Sequence, residues 1–368
     1  LKHIDIPGSV KSLGEHLCDG CTSMALLRIP DSVSSIGKAA FQHCSSLRAL
    51  TIPDSVVSIG HHLCYGCSSL RSLEISANVS DLPGSVFARC SSLVNVTIPD
   101  RVETIGAYAF YQSSRLVTIT IPDRVGSVGA SCFEGCSSLR SVDIPRGVTT
   151  IAERAFFGCS SLHSAALPES ISVIGDSAFA GCGSLEAVSI PAGVTKVGGF
   201  AFEACSSLGS ITIPRSVRLV GTHAFHNCTS LRSIYVDSPE AVYRGGAFLE
   251  TPHLSASRVY LTRSLVKADG FPSELVNFKC LEETGTGQAG GGCVCNAGYG
   301  NGLTDSQMNA EYFTCEPCAP GTTSTVPLSR DDCELCAPGK YTAKQASPQC
   351  SGCPKGTYVG VAGSVDES

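Results

Sequence analysis

An Ile, Leu or Val returns every 23 residues, at positions 6, 29, 52, 75, 98, 121, 144, 167, 190, 213 and 236, and a proline follows most of them. Ten full repeats run in register, and a period of this size marks a solenoid, in which each unit buries its apolar face only by stacking on its neighbours. Residues 47–69, LRALTIPDSVVSIGHHLCYGCSS, show the pattern inside one unit. Leu50 and Ile52 are two apart, which places them on one side of an extended strand with Thr51 on the other. The spacing predicts a right-handed stack of parallel strands over residues 27–29, 50–52, 73–75 and onward every 23, each stopped by a proline that lacks the next ladder N–H.

Val56 and Ile59 recur as Val33 and Ile36, Val102 and Ile105, and Val217 and Val220, and form a second apolar wall. A glycine column follows (Gly14, Gly37, Gly60, Gly106, Gly129, Gly175, Gly198, Gly221), where a corner is easiest for a residue free to take positive φ. Pro83 and Ala152 interrupt that column, so either the corner does not require positive φ or those two coils are distorted. An Ala-Phe pair comes next, as in Ala109-Phe110 and Ala178-Phe179, with a cysteine three residues later.

The unit Leu-x-x-Ile-x-Ile-Pro-x-x-Val-x-x-Ile-Gly-x-x-Ala-Phe-x-x-Cys-x-Ser resembles the BspA-like class of leucine-rich repeats over residues 1–259. The resemblance implies a curved, parallel-stranded solenoid of microbial and protist cell surfaces, often an adhesin that binds host matrix proteins or other cells. Residues 237–259 keep Ala247, Phe248, Leu254 and Val259 in register but carry Glu240, Tyr243 and Arg244 at the Val, Ile and Gly positions. They read as a degenerate last coil, with residues 260–279 as the cap a solenoid end requires. Leu1 falls in mid-repeat, and the expectation is that residues precede it.

From Cys280 the composition changes. Residues 280–353 hold nine cysteines with many glycines and prolines and little apolar periodicity, so this small region of residues 280–368 is expected to be held by disulfides. Cys293-Val-Cys295 with Gly298-Tyr299-Gly300 and Cys315 is similar to the second half of an EGF-like module. Cys315-x-x-Cys318, Cys333-x-x-Cys336 and Cys350-x-x-Cys353, each followed by Pro-Gly or Pro-x-Gly, resemble modules of ephrin-receptor and TNF-receptor ectodomains. The pairing expected is Cys280 with Cys293, Cys295 with Cys315, Cys318 with Cys333 and Cys336 with Cys350, leaving Cys353 over. Repeated C-x-x-C pairs also suit tetrahedral zinc, which is the alternative in a reducing compartment.

Nine of the other cysteines form one column, Cys21, Cys44, Cys67, Cys90, Cys136, Cys159, Cys182, Cys205 and Cys228, with Ser113 in the gap. An unbroken column cannot pair without odd members, so free thiols acting as small apolar residues are expected. Cys18 and Cys64 stand three residues before a column cysteine, and bonds from Cys18 to Cys21 and from Cys64 to Cys67 are an alternative. His16, His61 and His62 nearby are read as surface residues rather than metal ligands.

Charge narrows the partners. Residues 1–260 carry 19 Lys and Arg against 20 Asp and Glu, and the remainder 7 against 12, which leaves no basic stripe for nucleic acid. No apolar run reaches the length that spans a bilayer. No assembled nucleophile and base, and no cofactor motif, is evident, so the chain is not read as an enzyme.

The outward strand residues Thr51, Thr118, Thr120, Ser189, Thr212 and Tyr235 form the candidate binding face, for a protein or glycan ligand or further copies of the chain. A solvated, strand-compatible face with no ligand is the competing reading, because threonine is favoured in strands. Charged interruptions at Asp5, Arg28, Glu74 and Asp143 count against an ice-binding or lattice-binding threonine array. Two functional classes follow: an extracellular adhesion or ligand-binding protein carried on a cysteine-rich stalk, or a structural subunit of a filament, wall or sheath.

Three sequons begin at Asn78, Asn95 and Asn227 and imply glycosylation in an extracellular setting. Asn78 is expected to be the most accessible, and a glycan on Asn95 would push a ligand toward Ser189, Thr212 and Tyr235. Alkylation of the unreduced, unfolded protein is expected to label the column cysteines and Cys353 and to spare the eight paired tail cysteines; peptide mass spectrometry reads the outcome, and label confined to Cys353 would refute a column of free thiols.

Overall fold

The computed structural model describes residues 2–238 and 241–254 and, beyond them, the backbone of short strands between residues 259 and 352. The chain divides into two compact units. The first comprises Leu1–Ile211, Ser216–Leu231 and Tyr243–Thr251, and the second Thr212–Arg215, Arg232–Val242 and Pro252–Ser368.

The first unit is a parallel solenoid in which residue i stands beside residue i+23: Ala49 pairs with Ser72, Asn95 with Thr118, and Ser141 with Ser164. The front strands are Ala49–Thr51, Ser72–Glu74, Asn95–Thr97, Thr118–Thr120, Ser141–Asp143 and Ser164–Ala166. They begin and end one residue earlier than the spacing predicted, and residues 27–29 form no strand. Ile52 still donates its N–H to Glu74 O at 2.9 Å, but Pro53 has none for the next rung, so the strand closes at Thr51.

The second wall is itself a sheet. Two-residue strands recur from Ser12–Leu13 and Ser35–Ile36 to Lys196–Val197 and Leu219–Val220, with Ser12 beside Ser35 and Lys196 beside Leu219. Their Leu, Ile or Val points inward and the preceding residue faces out or is half-buried. The sequence pattern did not show these strands, because two residues are too short to alternate.

A third ladder runs along the edge that joins the second wall to the cysteine column. Ala39, Phe41 and His43 donate their N–H groups to the carbonyls of His61, Leu63 and Tyr65 at 2.9, 3.0 and 2.7 Å, and the same three bonds recur in each coil from His16 to Ala204. Presenting alternate N–H groups in so tight a bend takes a left-handed residue at both ends of the segment. Ala39 (φ 54°) and His43 (φ 55°) fill these places in one coil, and Tyr108 (φ 59°) and Gln112 (φ 52°) in another. Each such residue costs about 1–2 kcal/mol outside glycine, which the inter-coil bonds offset.

The glycine column, by contrast, does not take positive φ. Its requirement is space. A Cβ on Gly60 would lie 2.3 Å from Lys38 N, and one on Gly129 2.3 Å from Ala107 N. The corner therefore does not need the left-handed region, and Pro83 and Ala152 both occupy it without positive φ.

The core holds a file of parallel rings. From Phe110 to Phe248 successive phenylalanines stack at 5.2–5.7 Å with interplanar angles of 13° or less, and Phe87 joins at 5.8 Å. Beside them the array cysteines are free thiols, and neither Cys18–Cys21 nor Cys64–Cys67 is bonded. The column is more than an apolar stack. Cys67 Sγ donates to Phe41 O at 3.1 Å, Cys136 Sγ to Phe110 O at 3.2 Å and Cys182 Sγ to Phe156 O at 3.2 Å. Ser113, the one substitution in the column, makes the same bond through its hydroxyl to Phe87 O at 3.2 Å. The position selects a small donor for a buried carbonyl.

The second unit contains the parallel pair Ser233–Val236 and Val259–Thr262. Ile234 stands beside Val259, a spacing of 25 rather than 23, so the last coil holds two extra residues and Val259 does not continue the column of Val236. Antiparallel pairs follow, Phe278–Cys280 with Cys293–Cys295 and Tyr299–Asn301 with Cys315–Pro317. The first pairing sets Cys280 opposite Cys293 in backbone register. Cys318, Cys333, Cys336, Cys350 and Cys353 lie outside the described residues.

Two outcomes follow from the thiol column. Ser113→Cys is expected to match the parent in denaturant unfolding within about 0.5 kcal/mol, whereas Ser113→Val, which removes the donor, costs about 1–3 kcal/mol. Burial pushes Cys136, Cys182 and Cys228 up to about 12 from the ordinary 9.0. A raised folded value means full stability below the unfolded pKa and loss above it. Unfolding midpoints should hold to about pH 8 and fall steeply from there toward pH 12, each such thiol contributing up to about 1.4 kcal/mol per pH unit.

Candidate binding surfaces

The front face of the first unit carries four of the residues singled out above, and two of them are bonded to the neighbouring coil. Thr51 Oγ1 donates to Glu74 Oε2 at 3.0 Å, and Thr118 Oγ1 to Asn95 Oδ1 at 2.7 Å. Thr120 stands beside Thr97 in register, and Ser189 is exposed in a coil with no assigned front strand. In the second unit Thr212 is exposed and Tyr235 half-buried, with Tyr260 opposite it in backbone register.

The face is not continuous. Among the described residues no strand pairing joins Ser72–Glu74 to Asn95–Thr97, or Thr118–Thr120 to Ser141–Asp143, and the first of these seams is the open one. At that seam lies a groove of about 730 Å³ whose walls include Leu73, Glu74, Ile75, Asn95, Thr97 and Arg101. Its cause is local: Ser76 occupies the usual proline position. Buried there, Ser76 Oγ donates to Val56 O at 2.6 Å and accepts Asn78 N at 3.1 Å, while Ala77 N and Asn78 Nδ2 both reach back to Asp54 at 2.8 Å. These bonds tie the turn to the preceding coil. Leu73 and Ile75 are left half-buried, where Leu50, Ile52, Val96 and Ile98 are fully enclosed. The result is an apolar floor with a charged rim of Glu74, Asp100 and Arg101.

Two of the three sequons stand in the groove walls. Asn78 is exposed as expected, yet its amide is engaged at both ends, since Nδ2 donates to Asp54 O and Oδ1 accepts from Arg101 at 3.2 Å. Asn95 is exposed on the strand. Asn227 is half-buried at φ 56°, at the left-handed end of the edge ladder, where its N–H donates to Leu249 O at 3.0 Å.

The aromatic residues that the front face lacks are on the edge. The Arg89 guanidinium lies 5.6 Å from the Tyr65 ring and 6.0 Å from the Tyr111 ring, His43 meets Tyr65 edge-on at 5.5 Å, and Tyr108 meets Tyr111 at 5.6 Å. Farther along, Arg154 sits 4.0 Å over Phe157 and forks onto Glu134 through Nε at 3.0 Å and Nη2 at 2.7 Å, which holds the Glu134 carboxyl below its usual range. His226 lies between Glu203 and Glu250 at 3.2 and 3.3 Å. His16 and His61 are exposed and His62 half-buried, and among the described residues no group of three potential ligands could hold a metal ion. Sequence reading passed over this edge because it followed the apolar columns; aligning the residues that flank the Ala-Phe pair would have shown the aromatic and basic ones together.

Among the described residues no helix is long and apolar enough to cross a membrane. No curated protein matches the chain. Of solved structures, a leucine rich cell surface protein from Faecalibacterium prausnitzii is 30% identical, covering 62% of this chain and 69% of its own, with a TM-score of 0.45. A T. pallidum leucine rich repeat protein is 32% identical over 44% of this chain and 74% of its own, at 0.41. The pneumococcal vaccine antigen PcpA is 18% identical over 64% and 72%, at 0.45. The model of the BspA type leucine rich repeat region matches residues 1–117 and 126–255 in six copies, in keeping with the 23-residue register and the proline-stopped strands, and the chain belongs to that family.

Proposed function

We propose that this is an extracellular or cell-surface binding protein that takes a protein or glycan ligand on its front face, seated at the seam between Ser72–Glu74 and Asn95–Thr97. The observation that carries this reading is the opened groove, where half-buried Leu73 and Ile75 lie under a charged rim. Apolar area that water can reach, ringed by polar groups, is what a ligand gains from covering. Secretion is supported by the cysteine-dense tail and the sequons. In this reading residues 280–368 form a disulfide-bonded stalk paired as expected above, and the register of Cys280 with Cys293 supports its first bond.

Glycosylation bears directly on the site, because a glycan on Asn95 would fill the seam. The test joins both points. The full chain from its natural source is screened against extracellular matrix proteins and a glycan panel, beside Ala77→Arg, which places an exposed side chain into the groove without touching the core. A ligand of the seam should weaken about tenfold or more, the effect of losing roughly 1.4 kcal/mol. Equal binding by Ala77→Arg, or a glycan found on Asn95 by glycopeptide mass spectrometry, defeats the placement.

A further inference from the structure

The edge loops 37–43, 60–66, 83–89 and 106–112 read GKAAFQH, GHHLCYG, PGSVFAR and GAYAFYQ. They contain no Asp or Glu, whereas elsewhere on the same edge acids are common: Asp19, Glu134, Glu153, Asp176, Glu203 and Glu250. Within this stretch Lys38 and Arg89 supply the positive charge, His43 and His61 the imidazoles, the first of them 3.5 Å from Asp19 of the preceding coil, and Tyr65, Tyr108 and Tyr111 the rings. Burial, with Lys38 and His61 adding to it, holds His62 below its ordinary value.

Arg89 is the informative residue. Its guanidinium lies between the rings of Tyr65 and Tyr111, and among the described residues it meets no carboxylate. Arg154 shows how the same edge treats an arginine with a structural task, stacked on Phe157 and forked onto Glu134. Arg89 has rings on two sides, at longer range, without the carboxylate. A guanidinium held by aromatic faces keeps its donor fork pre-organised for a planar anion.

We propose that this edge is a second binding site, separate from the front-face seam, for a carboxylate-bearing saccharide: Arg89 takes the carboxylate, and the Tyr108 and Tyr111 rings take the C–H face of a pyranose. A saccharide fits better than an acidic peptide. Of the large exposed apolar side chains only Tyr108, 45% exposed, lies in these loops, so a peptide's apolar anchors have nothing to rest on. Ring faces with hydroxyls, the imidazoles of His43 and His61 and the amides of Gln42 and Gln112 supply the mixed stacking and hydrogen bonding that sugars use.

The test titrates the full chain with 3′-sialyllactose, lactose and a hexaglutamate peptide, by calorimetry or ligand-observed NMR. The carboxylated sugar should bind, lactose about tenfold more weakly or worse, and Arg89→Gln should weaken the carboxylated sugar about tenfold, a change equal to one charge-assisted hydrogen bond. Arg89→Lys should restore only part of the loss. Arg154→Gln should lower the unfolding midpoint and leave binding as it was, and Ala77→Arg should leave it too, so a failed front-face site does not disturb the result. Equal binding of both sugars, no binding of either, or no effect of Arg89→Gln overturns the proposal. Binding of hexaglutamate in place of the sugar overturns it in favour of an acidic protein partner.

Discussion

In each coil from His16 to Ala204 the edge segment gives its first, third and fifth N–H groups to the next coil. The other two ladders are interrupted. The front strands bond in pairs, and the back strands break between Ser58–Ile59 and Asp81–Leu82 and again between Ser127–Val128 and Thr150–Ile151. The edge ladder therefore sets the pitch for everything else. It spaces the phenylalanine rings at 5.2–5.8 Å, brings the glycine corners from Gly37 to Gly221 against the neighbouring backbone, and places the thiols and hydroxyl of the column from Cys44 to Cys228 beneath a carbonyl of the preceding coil. Bonds that replace water with a buried partner are worth about 1 kcal/mol each, and repetition makes the sum decisive.

That rigidity explains where binding can occur. A regular face pairs its own polar groups, as Thr51 does with Glu74 and Thr118 with Asn95, and a ligand would have to break those bonds to gain its own. Departures from regularity are what create opportunity. Ser76 in place of proline bends one turn back toward Asp54 and opens the front seam, while the edge ladder beneath stays closed at His62, Cys64 and Gly66. The fold can carry a local opening because its continuity does not run through the front sheet.

The edge offers a second kind of freedom. Its left-handed positions accept histidine, alanine, tyrosine, arginine and phenylalanine alike, as His16, Ala39, Tyr108, Arg154 and Phe200 show. Backbone bonding, rather than side-chain identity, fixes their conformation. Side chains there vary without cost to the core, and one arginine is paired with a carboxylate while another has only rings beside it among the described residues.

The sequence by itself determined the parallel solenoid, its 23-residue step, the inward Leu50, Ile52, Val56 and Ile59, and the family, because each is a one-dimensional periodicity that any stacking must respect. It did not determine what the columns were for. Glycine was legible, but whether it served positive φ or close approach depended on where Lys38 N and Ala107 N came to lie. The cysteine column was legible, but its hydrogen bond depended on a carbonyl 26 residues earlier in the chain. The seam at Ser76, the two extra residues of the last coil and the Tyr65, Arg89 and Tyr111 stack belong to the same class. Each is a relation between neighbouring coils, and a periodic sequence states the repeat without stating what touches what across it.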